Sequence, residues 1–143
     1  EGERAVPIQD FFTGPGETVR RADELIVKVQ VPLVEGNAVF EKIGRRKAQV
    51  CSIVSAAVRL VMDGDVCREA RIVLGSMAPT PIRCPVAEKM LIGHTLDEAL
   101  IAECADQAIA ESNPIDDQRA TAWYRQKAGT ALVRRALTRA AGA

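Results

Sequence analysis

The chain has 143 residues, with 19 basic and 19 acidic side chains and so a formal net charge of zero. That balance argues against the basic excess typical of nucleic-acid binders, and no apolar run nears the roughly 18 residues of a membrane span. A chain 48 % apolar and 27 % charged reads as a soluble globular one, and its length fits one domain, or one domain with a leading fragment.

With only one Trp, one Tyr and three Phe, a core must be built mainly of Val, Ile, Leu and Ala. The opening EGERAVPIQD lacks an initiating Met and the basic start and apolar run of a signal peptide. A start in the middle of a longer, cytoplasmic protein is expected. Cys51, Cys67, Cys84 and Cys104 contain no C-x-x-C pair, and His94 is the single histidine. A protein-made metal site is therefore not expected, and the four cysteines read as buried cytosolic thiols.

In chain order, residues 5–8 suggest a short strand, and Gly14-Pro15-Gly16 a turn. Residues 25–31 (LIVKVQV) read as a strand with Leu25, Val27, Val29 and Val31 on one face, stopped by Pro32. After the turn Glu35-Gly36-Asn37, residues 38–43 start a second strand. Residues 52–62 alternate so that Val54, Ala56, Val58, Leu60 and Met62 share a side. Asp63-Gly64-Asp65 is a hairpin signal, leading to a strand over 66–74 with Arg68, Glu69 and Arg71 toward solvent.

From residue 80 the apolar period becomes helical. Pro85 suits a first helical position, with Val86, Ala87, Met90 and Leu91 as the apolar stripe and Gly93 as the stop. Thr95 and Glu98 have the spacing of a capping box before Leu100, Ile101, Cys104, Ala105 and Ala108. Asn113-Pro114 breaks that helix. Asp116 or Asp117 can cap a last helix reaching Ala140, with Ala122, Gly129, Val133, Ala136, Leu137 and Ala140 as its stripe. The pattern is α+β: a three-stranded antiparallel sheet followed by a layer of three helices.

The chemistry concentrates in residues 40–54, FEKIGRRKAQVCSIV. Lys42, Arg45, Arg46 and Lys47 lie there, with Gly44 just before the arginines, where a turn can take a positive φ at little cost. Fixed cations between two strands suit an anionic or electron-rich ligand; a solvated basic turn is the plainer alternative. Catalytic candidates are few. The serines lack G-x-S-x-G, His94 reads as solvated or capping, and Asp116 and Asp117 read as caps. Cys51 reads as a core thiol rather than a nucleophile, and Trp123 and Tyr124 read as packing against the sheet or a neighbour. Without a Walker motif or G-x-G-x-x-G, the chain has no phosphate cradle of its own.

Several segments taken together resemble the C-terminal part of the FAD-binding medium subunit of molybdenum hydroxylases, the group of carbon monoxide dehydrogenase and xanthine dehydrogenase. They are Asp10-Phe11-Phe12-Thr13-Gly14-Pro15-Gly16, Asp23-Glu24-Leu25-Ile26 leading to Val31-Pro32, FEKIGRRKAQ, and SIVSAAVRL. Further on come Gly75-Ser76-Met77-Ala78-Pro79-Thr80-Pro81-Ile82-Arg83, Pro114-Ile115-Asp116-Asp117-Gln118-Arg119 and Tyr124-Arg125.

The resemblance implies a three-stranded antiparallel sheet packed against a three-helix bundle, with residues 1–34 ending a preceding FAD-binding subdomain and residues 35–143 forming the C-terminal domain. It implies a part in passing electrons from 2Fe–2S clusters through FAD to an acceptor, as a component of an oxidoreductase without catalytic residues of its own. FAD would be held mainly by upstream subdomains, with Glu24, Leu25, Ile26, Lys42, Arg45 and Arg46 as this chain's cofactor-binding set. Lys42 ends the family's F-x-K, and the backbone at Ile26 would lie by the isoalloxazine. Relatives often carry Asp where this chain has Val50. The implied partners are a molybdopterin-containing large subunit, a 2Fe–2S small subunit and the rest of the flavoprotein subunit, with neither nucleic acid nor membrane. A stand-alone interaction module is the alternative reading; a nucleic-acid binder built on the cationic loop lacks the charge and exposed aromatics it would need.

Overall fold

A computed structural model describes residues 2–46 and 49–142; Lys47, counted above in the cationic loop, lies outside the described residues. The chain divides into two compact units, residues 1–34 and 35–143.

In the first unit, a single helical turn α1 (Ile8–Phe11) leads into a small antiparallel hairpin of β1 (Phe12–Gly14) and β2 (Glu17–Thr18). The turn between them uses Gly16 at φ +76, a conformation glycine adopts without steric cost. Residues 5–8 are not the expected strand. Pro7 caps α1 instead, and its carbonyl accepts the Asp10 N–H at 3.0 Å. Nor do residues 25–31 form a strand. Leu25, Val27, Val29 and Val31 are exposed, and no neighbouring strand among the described residues takes their backbone hydrogen bonds. Alternation marks a face that can be buried, but a strand needs a partner for its N–H and C=O groups.

The second unit is a sheet covered on one face by helices. Strands β3 (Asn37–Ile43), β4 (Val54–Asp63), β5 (Val66–Gly75) and β6 (Ile82–Arg83) lie in that order, all antiparallel. The expected three-stranded sheet thus has a fourth strand. β6 pairs Ile82 and Arg83 with Leu74 and Val73, and so short a strand is too brief to show a period. Gly64 turns the β4–β5 hairpin at φ +58, as Asp-Gly predicts. A bulge leaves Arg68 without an opposite number, since Glu69 faces Val61 while Cys67 faces Met62. Cys67 and Ala70, three apart, therefore both point inward.

Helices α2 (Pro85–Leu91) and α4 (Ala122–Ala141) pack on the inner face, and α3 (Glu98–Ala110) packs against both of them. The core joins Val54, Ala56, Val58, Leu60, Ile72 and Leu74 of the sheet to Leu91, Ile101, Leu132, Val133 and Leu137 of the helices. Each such large side chain contributes about 1.5–3 kcal/mol on burial.

The helix boundaries differ from the sequence reading in their caps. Asp97, not Thr95, caps α3 and accepts the Leu100 N–H at 2.7 Å, while Thr95 bridges to Val66. Thr121 caps α4, accepting from Tyr124 N–H at 3.2 Å; Asp116 accepts the Ala122 N–H beside it. In α2, Val86 is exposed and Glu88 is buried. Its carboxylate accepts the Ile72 N–H at 2.9 Å and pairs with Arg83, so the charge is compensated.

Candidate functional site

Strand β3 alternates cleanly. Val39, Glu41 and Ile43 face the helices, where Glu41 pairs with Arg135 and Arg139 of α4, while Ala38, Phe40 and Lys42 are exposed on the opposite face. The register sets Lys42 beside Ser55, and Ser55 beside Gly75. The next row is Phe40, Ala57 and Val73; the one after it is Ala38, Arg59 and Arg71. Next to Lys42 the outer face is therefore low and flat. A Cβ on Gly75 would stand 2.5 Å from Ser55 Oγ, so glycine permits the close approach there. The ammonium of Lys42 donates to Val50 O at 3.3 Å and is exposed.

The cationic loop is closed at its base by Ile53 N–H donating to Ile43 O at 2.7 Å. Gly44 does not use the positive φ open to it. Val50 Cγ1 lies 2.5 Å from where its Cβ would be, and the left-handed residue is Gln49 at φ +49. Arg46 donates to Gln49 O. Arg45 reaches across to the carbonyls of Gln118 and Arg119 in the loop before α4. Together these residues line a shallow depression of about 440 Å³ with Val50, Cys51 and Ile53 at its base and no carboxylate among its lining side chains. Lys42 rises from the outer sheet face, and its ammonium reaches the carbonyl of Val50, a residue that also lines the depression with Arg45 and Arg46.

Beneath the depression sits a group the sequence reading missed. Arg125 is buried and donates to Ser76 O at 3.0 Å and to Ile53 O, with Asp117 at 2.8 Å. Ser76 holds φ +62. The N–H groups of Arg119 and Ala120, then Arg125 and the Arg119 guanidinium, hold the Asp117 carboxyl well below the usual carboxylate range against its partial burial. The helical period did carry the signal: Arg125 is four residues before Gly129 on the buried stripe of α4.

Glu24, Leu25 and Ile26 belong to the first unit. Leu25 and Ile26 are exposed. The Glu24 carboxylate is taken by Arg4 at 2.6 and 2.7 Å and by Arg21 N–H at 2.7 Å; these partners, Arg4 foremost, bring its pKa down to about 2. Its side chain is a latch that fixes the turn ahead of Leu25. Cys51 is exposed, contrary to the buried thiol expected, because β4 begins only at Val54; Cys67, Cys84 and Cys104 are buried. Trp123 and Tyr124 are exposed at the start of α4 and do not pack against the sheet. Among the described residues no three His, Cys, Asp or Glu side chains gather as metal ligands, and no helix is long and apolar enough to cross a membrane.

Residues 38–140 match the CO dehydrogenase flavoprotein C-terminal domain family. The chain is 34 % identical over 142 residues to the carbon monoxide dehydrogenase medium chain of Afipia carboxidovorans, covering 98 % of this chain and 49 % of that one. It is 31 % identical over 128 residues to the xanthine dehydrogenase FAD-binding subunit of Escherichia coli O157:H7, covering 87 % and 44 %. The crystal structure of quinoline 2-oxidoreductase from Pseudomonas putida 86 superposes with a TM-score of 0.92 at 30 % identity, over 97 % of this chain and 48 % of that one. The chain spans about half the length of the curated relatives it matches.

Proposed function

The chain belongs to the family of CO dehydrogenase flavoprotein C-terminal domains, and on that premise we propose that it is part of the FAD-containing electron-transfer subunit of a molybdenum hydroxylase. In this reading residues 35–143 are the C-terminal domain and residues 1–34 the end of the preceding FAD-binding subdomain. A molybdopterin-containing large subunit and a 2Fe–2S small subunit are the partners, and the rest of the flavoprotein subunit completes the cofactor site. The names of relatives, medium chains and an FAD-binding subunit, support it.

The observation that carries the reading is the exposed ammonium of Lys42 beside the low Ser55–Gly75 platform, with Phe40, Ala57 and Val73 as an adjoining apolar row. Such a face fits the edge of a planar ring with electron-rich atoms. FAD, when bound, supplies the conversion between one-electron transfer from iron–sulfur clusters and two-electron transfer to an acceptor. This chain's residues position and tune. Lys42 would hold a positive charge that stabilises negative charge on the reduced ring; in the first unit, the backbone at Leu25 and Ile26, next to the Arg4–Glu24 pair, would be that unit's own contribution to the cofactor. Arg45 and Arg46 form the basic loop alongside. No glycine-rich phosphate loop occurs in the sequence, so the FAD diphosphate is assigned to upstream residues.

Purification of the full-length subunit tests the proposal. It should retain one flavin per chain, and in the assembled enzyme that flavin should be reduced by the enzyme's substrate only when the 2Fe–2S subunit is present. A full-length subunit that neither retains nor rebinds FAD would contradict it.

A further inference from the structure

Ser55 of β4 stands between Lys42 of β3 and Gly75 of β5, its direct cross-strand partners on the outer face. Side chains paired in this way start about 5 Å apart, so the Ser55 hydroxyl and the root of Lys42 belong to one small patch. The hydroxyl lies over Gly75, where a Cβ would come to within 2.5 Å of its oxygen. Alanine at that position would push the hydroxyl aside, so the glycine keeps its place open. A glycine within a strand weakens the strand and often marks where a ligand or another backbone comes close.

Nothing within the fold uses this hydroxyl. Ser76 and Ser112 donate theirs to the carbonyls of Ser52 and Ile109. Ser55 is half-buried, and its hydroxyl has no hydrogen-bond partner among the described residues. The adjoining row of Phe40, Ala57 and Val73 offers it none. An unused donor beside a fixed cation, bordered by apolar side chains, suits a planar ring whose polar atoms are gathered along one edge.

We propose that the Ser55 hydroxyl is a further contact to the flavin ring, donating to the electron-rich edge whose charge Lys42 offsets, with Gly75 holding the space for it. The inference rests on the flavoprotein reading above and deepens it. An ammonium on a long flexible stem acts as a point charge with little directional demand. A hydroxyl on a short side chain is directional, so Ser55 sets how the ring lies. A donor already in place also binds more strongly once its acceptor gains negative charge. Ser55 therefore favours the reduced ring as Lys42 does, by less because it is neutral.

The test compares the full-length subunit with its Ser55→Ala and Ser55→Thr variants. Each is stripped of flavin and titrated with FAD, and the midpoint potential of the bound flavin is measured. Ser55→Ala should bind oxidised FAD more weakly by about threefold or more. Its potential should fall, by about 30 mV for each tenfold by which the reduced form loses more affinity than the oxidised one. Ser55→Thr keeps the hydroxyl and should stay near wild type in both, and thermal stability should be the same in all three. Wild-type affinity and potential in Ser55→Ala overturn the proposal and leave the flavin reading standing. Lowered stability with an unchanged potential makes the serine a packing residue and also overturns it. A loss that Ser55→Thr does not restore assigns the effect to side-chain volume, with the same consequence. A wild-type subunit that takes up no FAD overturns the flavoprotein reading itself, and this proposal with it.

Discussion

Arg125 of α4 and Asp117 of the preceding loop form a 2.8 Å ion pair whose guanidinium side is 3 % exposed. The same guanidinium donates to the carbonyls of Ile53 and Ser76. One side chain thereby ties the loop before α4 to the start of β4 and to the turn after β5, and it underlies the depression that Arg45 and Arg46 line.

Arg125→Met should therefore be costly. It leaves the buried Ile53 carbonyl and the Ser76 carbonyl without their donor, and a buried polar group left unsatisfied costs about 1–3 kcal/mol. Urea unfolding should show a loss of at least about 1 kcal/mol; an unchanged stability would mean that the network contributes little.

The same pair sets an acid dependence. The folded-state pKa of Asp117 lies below its unfolded value, so its stabilisation is present above the unfolded pKa of about 3.9. It is lost as pH falls from there toward the folded value. Asp117→Asn should be less stable than wild type near neutral pH, and the gap should narrow as pH falls below about 4. A gap that stays constant across that range would assign the acid sensitivity elsewhere.

Gly36→Ala should destabilise strongly for a backbone reason. Gly36 sits at φ +102, and a Cβ there would run into the carbonyl of Leu60. A strained φ and a backbone collision together should cost about 2 kcal/mol or more, read from the denaturation midpoint at constant m-value. A near-neutral effect would mean that the β3 entry relaxes freely.

Thiol labelling should separate the four cysteines. Cys51 is exposed, whereas burial, with Glu111 adding to it, pushes Cys84 and Cys104 up to about 12, and burial raises Cys67. Since the thiolate is the reacting form, iodoacetamide at about pH 8 should modify Cys51 in the native protein and the other three only after unfolding. Peptide mass mapping checks this, and rapid native labelling of Cys84 or Cys104 would contradict the packing described.

Where a segment both carried a period and found its partner within the chain, the sequence reading held. The β4–β5 hairpin around Gly64 and the buried stripes of α3 and α4 are such cases. Residues 25–31 carry the period of a strand, but the neighbour that would pair with them is not among the described residues. β6 pairs without any period to read, its two residues being placed by β5. The site divides in the same way. The alternation of β3 alone puts Lys42 on the outer face, but the small residues beside it follow from cross-strand register, which a linear sequence does not display. Arg125 reads in the sequence only as part of a matching segment and as a charged break in an apolar stripe; its role follows from its three acceptors.

The most direct measurement is the flavin midpoint potential of the full-length subunit with Lys42→Met, taken beside Arg46→Met from the same loop. Methionine keeps the aliphatic stem and removes the charge, so folding stability should change by no more than about 0.5 kcal/mol. Lys42 lies on the outer face, while Arg46 is turned to Gln49 O. The potential should fall in Lys42→Met, by roughly 20 mV for each kcal/mol of lost stabilisation of the reduced ring, and stay near wild type in Arg46→Met. An unchanged potential in Lys42→Met with a shifted one in Arg46→Met would contradict the assignment and move the tuning charge to the arginine.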